Sequence, residues 1–206
     1  LYPFCWGTCS RGSRTSSMDM GGDFDIQVWA YSNDTRWPEQ TLVQIYKWFQ
    51  DDPIPAVFWR EGIPLSLNAF IRWLTEPGRV ILFPMLCVEP MTLENIIGMC
   101  WVDEIETNRA AVHFWVRKKH WWRHRPLRAA WKILQLIFAE MPTLQLVTCR
   151  MNSHNRLGVR FMKQIGVRII GEIPNWYKHG DIYYPATFGY IPRSDVEMTK
   201  VSYESI

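Results

Sequence analysis

Residues 144–171 read LQLVTCRMNSHNRLGVRFMKQIGVRIIG. Leu144 to Met151 reads as a strand. Ser153 can cap the helix that follows, which carries Leu157, Phe161, Met162 and Ile165 as its buried stripe. Gly166 is a good left-handed residue just past a helix end, and Val167 to Gly171 returns to strand. A strand, a capped helix and a second strand in so short a space point to an α/β arrangement.

The flanking segments extend the pattern. Upstream, Pro126 sits in the first turn of a helix running to Met141, with Leu127, Ala130, Leu134, Ile137, Phe138 and Met141 on its buried face and Arg128, Lys132, Gln135 and Glu140 facing away. Before it come three strands, Val80 to Val88, Ile96 to Glu106 and Ala110 to Val116, the last two joined at Glu106-Thr107-Asn108-Arg109 as a hairpin. Two helices precede these: Glu39 to Gln50, and one capped by Ser66, carrying Ala69, Phe70, Trp73 and Leu74, and ended by Pro77-Gly78. Phe24 to Tyr31 is the first strand and Tyr183 to Tyr190 the last, with Lys178-His179-Gly180-Asp181 turning into it. The helix from Pro126 joins two strands that can lie parallel, as a crossover does. The residues alone thus give a mixed sheet covered by helices.

At 206 residues, 48% of them hydrophobic, the chain is long enough for one sizeable domain and too short for two comfortable ones. Residues 1–17, rich in Ser, Gly, Arg and Thr, read as a disordered arm, leader or appended remnant, and 18–206 as the single domain. No apolar run reaches the length of a membrane span; the longest, near Ile81 to Val88, is interrupted by Pro84. Five cysteines without regular spacing suggest buried, reduced thiols at Cys87, Cys100 and Cys149 and a cytoplasmic compartment. Cys5 and Cys9 have no second pair of ligands near them in sequence, so no metal site is expected.

The net charge of +3 is mild, but its distribution is uneven. Arg117, Lys118, Lys119, Arg123, Arg125 and Arg128 place six basic residues within twelve, with no acid among them. One basic segment on a slightly acidic body suggests a local anion site. A plain solvated surface is the bland reading. A nucleic-acid patch, with Trp121 and Trp122 as stacking platforms, is a third.

From Phe24 to Tyr190 the element order resembles the GNAT acyltransferase superfamily. Asn155, Gly158, Phe161, Gly166 and Gly171 fit its Asn-x-x-Ala/Ser-x-x-Leu pattern and the Gly-Phe-x-x-x-Gly that follows; Ile97-Gly98-Met99-Cys100 is similar to its third strand, and Gly180-Asp181 to its closing hairpin. The resemblance implies a three-layer α/β/α sandwich whose central, mostly antiparallel mixed sheet splays between its fourth and fifth strands. It implies acetyl-CoA as co-substrate, with a primary amine as acceptor: a protein N-terminus, a lysine or a small amine.

By the same resemblance, Phe114, Trp115 and Val116 lie beside the acyl and pantetheine groups, and a backbone N–H there polarises the thioester carbonyl. Arg123, His124, Arg125, Pro126, Leu127 and Arg128 take the place of the pyrophosphate loop, and Asn155 holds the thiol or pantetheine end with Phe161 on the same helix. The family's loop carries glycines; here there are none, so either the arginines replace backbone donors with charge-assisted bonds or the site has been lost. Met162 stands where many members carry a tyrosine acid. Glu104, Glu106 and His113 are the candidate bases, and Tyr177 and Tyr183 candidate pocket walls. A rival reading is a GNAT-like binding or assembly module without transferase activity, of the kind tailed phages encode.

Overall fold

The computed structural model describes residues 26–31, 39–51, 66–74, 76–86, 93–120, 125–179 and 181–197. The expected arm at 1–17, the cysteines at 5, 9 and 87, and Trp121 and Trp122 lie outside the described residues.

In chain order the elements are β1 (Ile26–Tyr31), α1 (Glu39–Asp51), α2 (Leu67–Leu74), β2 (Val80–Leu86), β3 (Gly98–Asp103), β4 (Arg109–Val116), α3 (Arg125–Glu140), β5 (Leu146–Asn152), α4 (Arg156–Gln164), β6 (Arg168–His179) and β7 (Ile182–Pro192). The strands form one sheet in the order β1-β2-β3-β4-β5-β7-β6. Among the described residues only β4 and β5 run parallel, and α3 is the crossover between them.

Strand alternation divides the core into two layers. Cys100, Val102, Ala110, Val112, Val147, Cys149 and Met151 face α3 and α4, meeting Ile133, Leu134, Ile137, Met162 and Ile165. Ile81, Phe83, Met99, Trp101 and Trp115 face the other way and pack on Leu42, Ile45, Phe70 and Leu74 of α1 and α2. The result is the expected α/β/α sandwich. Cys100 and Cys149 are buried free thiols. Burial holds both well above the ordinary thiol range, Cys149 at about 12, so neither is a nucleophile in the folded chain.

Several local expectations are corrected. Ser153 does not cap α4, because its hydroxyl pairs with the Thr187 hydroxyl of β7 at 2.9 Å. Asn155 caps the helix instead, its side-chain oxygen accepting from the Gly158 N–H at 2.9 Å. That start leaves Leu157 half exposed while Met162 and Ile165 stay buried. On α3 the buried face is wider than the single stripe: Ala129 and Ile133 join it, and Leu127 and Met141 sit at its margin. β6 runs from Arg168 to His179, well past Gly171, because its partner β7 is nearly as long. β2 is described from Val80 to Leu86, with positions 87 and 88 of the expected strand outside the described residues, and Pro84, which has no N–H, accepts from the Ile97 N–H at 2.8 Å.

Candidate active site

β4 and β5 are in register over three pairs only, Arg109 with Leu146, Ala110 with Val147 and Ala111 with Thr148. β4 continues to Val116 and β5 to Asn152, so the strands part beyond Ala111 and Thr148. Arg117 donates its N–H to the Ile97 carbonyl at 2.9 Å. Ladder alternation then turns the backbone groups of Ala111, His113 and Trp115 toward β3, and those of Val112 and Phe114 toward the parting with β5. On the α3–α4 side of this opening Phe161 meets Phe114 edge to face, ring centroids 6.0 Å apart.

The sequence candidates distribute as follows. The Phe114 backbone addresses the opening. Trp115 does not line it with its side chain, which is buried against α1 and α2. Val116 packs with Ile26, Ile97 and Ala129 where β4 leaves the sheet. In the first turn of α3, Pro126 is buried, Arg125 and Leu127 are half-buried and Arg128 is exposed. Arg123 and His124 lie outside the described residues. Asn155 spends both ends of its amide within the chain: the oxygen on Gly158, and Nδ2 toward the Met151 sulfur at 3.5 Å.

The basic segment is not uniformly available for an anion. The Arg117 side chain is buried, donating to the carbonyls of Ile96 at 3.2 Å and Glu94 at 3.4 Å and to the Glu94 carboxylate at 3.1 Å. Lys119 reaches the Glu94 carbonyl at 2.7 Å and also its carboxylate.

On the α1–α2 face of the sheet a polar cluster sits beside the opening. His113 stacks on Trp101, rings nearly parallel and centroids 4.9 Å apart, and its Nε2 lies 3.0 Å from Asp103 Oδ1. Asp103 Oδ2 faces Arg79 Nε at 3.8 Å. Burial pushes the Asp103 carboxyl up. The hydrogen bond and charge of His113, with Arg79 and Arg150, outweigh that and hold it below its ordinary value. The other base candidates are engaged elsewhere. Glu104, in a left-handed conformation at φ +49, binds Arg150 through both oxygens at 2.6 and 3.2 Å. Glu106 binds Arg109 at 2.6 and 2.8 Å across the hairpin end. Tyr177 is buried on the Arg150 side, whereas Tyr183 is exposed.

Asp103, Arg79 and Arg150 are missing from the sequence-derived candidates. A two-residue turn at Thr107-Asn108 would pair Asp103 with Val112. The actual register pairs Asp103 with Ala111 and Trp101 with His113, which brings Trp101, Asp103 and His113 onto one face. Among the described residues no three potential metal ligands gather, and no helix is long and apolar enough to cross a membrane.

No protein-family model matches this sequence, and no curated protein is significantly similar to it. Solved structures are. The spermidine N-acetyltransferase of Vibrio cholerae, in complex with CoA and spermine, superposes with a TM-score of 0.68 at 14% identity, over 84% of this chain and 98% of that one. A GNAT-family acetyltransferase from Bacillus anthracis gives a TM-score of 0.64 at 14% identity, over 83% of this chain and 98% of its own. Sheet order, the single parallel pair and these superpositions agree: the chain has the GNAT acetyltransferase fold.

Proposed function

We propose that the chain is an N-acetyltransferase, moving an acetyl group from acetyl-CoA to a primary amine. The observation that carries this reading is the parting of β4 from β5 after Ala111 and Thr148, with the Val112 and Phe114 backbone turned into the opening. Pantetheine lies there as an added strand, and a β4 N–H polarises the thioester carbonyl. The pyrophosphate sits at the N-terminus of α3, whose first turn carries Arg125, Pro126, Leu127 and Arg128 and which Arg123 and His124 precede in sequence, the arginines supplying positive charge. Asn155 and Phe161 bound the slot from α4, Asn155 as the cap that sets the helix start. A CoA and amine complex of a protein with the same fold supports an acyl-CoA and an amine as the substrate pair.

Of the two proposed catalytic candidates, His113 fits the base role better than Glu104. His113 lies two residues past the last β4–β5 pair, whereas the Glu104 carboxylate is committed to Arg150. Catalysis is chiefly positioning and carbonyl polarisation, by direct attack in a ternary complex. The test is release of CoA thiol from acetyl-CoA with three amine classes: a peptide with a free N-terminus, a lysine-containing peptide blocked at its N-terminus, and a small amine. Amine-dependent release with any of them supports the reading. Release with none would favour a binding module on the same fold.

A further inference from the structure

We propose that Asp103 is a positioning residue that fixes the tautomer of His113, making Nδ1 of that ring the atom that takes the acceptor's proton. This rests on the acetyltransferase reading above. The ring is held on two sides, each braced from behind. Trp101 lies flat against one face, and Trp101 is in turn braced edge-on by Trp73 at 5.3 Å. Asp103 receives Nε2 at 3.0 Å. Asp103 is anchored behind by Arg79, which lies over the Trp73 ring at 4.5 Å and donates to the Trp73 carbonyl at 2.7 Å. A carboxylate accepts only, so Nε2 must carry the hydrogen and the neutral ring presents Nδ1 as its acceptor. Among the described residues Nδ1 has no hydrogen-bond partner, and the His113 side chain retains 15% exposure.

The position suits the chemistry. His113 lies between Val112 and Phe114, the residues whose backbone turns into the β4–β5 opening. An ammonium arriving from the α1–α2 side gives one proton to Nδ1. The neutral amine then forms the C–N bond to the acetyl carbon. The C–S bond breaks as the tetrahedral intermediate collapses, and the thiolate takes the second amine proton. The imidazolium then loses its proton to solvent. The charged groups around the ring are Asp103 and Arg79, with Arg150 beyond Asp103.

The experiment is ring-nitrogen NMR of the histidine-labelled full chain, with His113→Gln assigning the signals. It is run beside steady-state kinetics of acetyl-CoA turnover for wild type, Asp103→Asn and His113→Gln, using 2-phenylethylamine, spermidine and a free-N-terminus peptide as probe amines. The expected wild-type spectrum is that of the Nε2–H tautomer. In Asp103→Asn that preference is lost, and kcat falls about tenfold to a hundredfold with KM for acetyl-CoA unchanged. A wild-type ring protonated at Nδ1 overturns the proposal even if the Asn variant fails to fold. So does turnover that neither Asp103→Asn nor His113→Gln alters. Wild type inactive with all three amines would overturn the acetyltransferase reading itself and the base role with it.

Discussion

The Arg117 guanidinium lies over the Trp48 ring, its central carbon 3.4 Å from the ring centroid, while donating to the backbone and carboxylate of Glu94. This fastens the end of β4 to α1 and to the segment before β3. It also separates the basic stretch into a structural part, Arg117 and Lys119, and the part at the α3 N-terminus proposed to meet phosphate. Removing the Arg117 side chain strands the Ile96 carbonyl in a buried setting. Arg117→Leu is therefore expected to cost about 2–3 kcal/mol in urea unfolding, and the exposed Lys118→Ala less than about 0.5 kcal/mol. Equal, small effects would show that Arg117 is only a surface charge.

Gly98 has a steric reason to be glycine. A Cβ there would stand 2.1 Å from the Trp115 carbonyl oxygen and 3.0 Å from the Val116 Cα, both backbone atoms that cannot swing aside. Gly98→Ala must push β3 away from β4 at the mouth of the proposed slot. The expected loss is about 3 kcal/mol, with a changed near-ultraviolet signal from buried Trp115. Wild-type stability for this variant would mean that β3 and β4 lie further apart than described.

Tyr177 gives an alkaline prediction. Burial raises its phenol to about 12, against a smaller lowering by Arg150. The folded value exceeds the unfolded one, so its contribution is complete below about pH 10 and is lost as pH rises toward 12. Unfolding free energy should drop by roughly 2 kcal/mol across that window, and Tyr177→Phe should flatten this part of the profile. Tyrosinate absorbance for Tyr177 appearing at pH 10 in the folded chain would contradict the assignment.

Most elements were legible in the sequence because period and punctuation agreed: Pro126 opening α3, Gly166 closing α4 at φ +82, and the apolar alternation of the strands. What was not legible depends on register and on long-range pairing. The connection between β3 and β4 carries Glu104 in a left-handed conformation. The resulting register, displaced by one from a two-residue turn, joins Asp103 and His113 on one face. The α4 cap went to Asn155 because a residue on β7, distant in sequence, claims Ser153. Of the cofactor candidates, Trp115 reads as apolar at a strand end, and only the packing of α1 and α2 shows that its side chain belongs to the core. His113 could be named from sequence, but Asp103, two residues beyond Trp101 on the neighbouring strand, could not be matched to it without the register.

The most direct test of the central claim is acetyl-CoA binding by calorimetry, to the full chain and to a variant carrying Arg123→Ala, Arg125→Ala and Arg128→Ala, with thermal unfolding confirming that the variant is folded. The account predicts a single site of micromolar affinity in the wild type, weakened by about a hundredfold or more when three charge-assisted phosphate contacts are removed. No heat of binding at millimolar cofactor, from a chain that melts cooperatively, would contradict it and leave the GNAT fold without its cofactor.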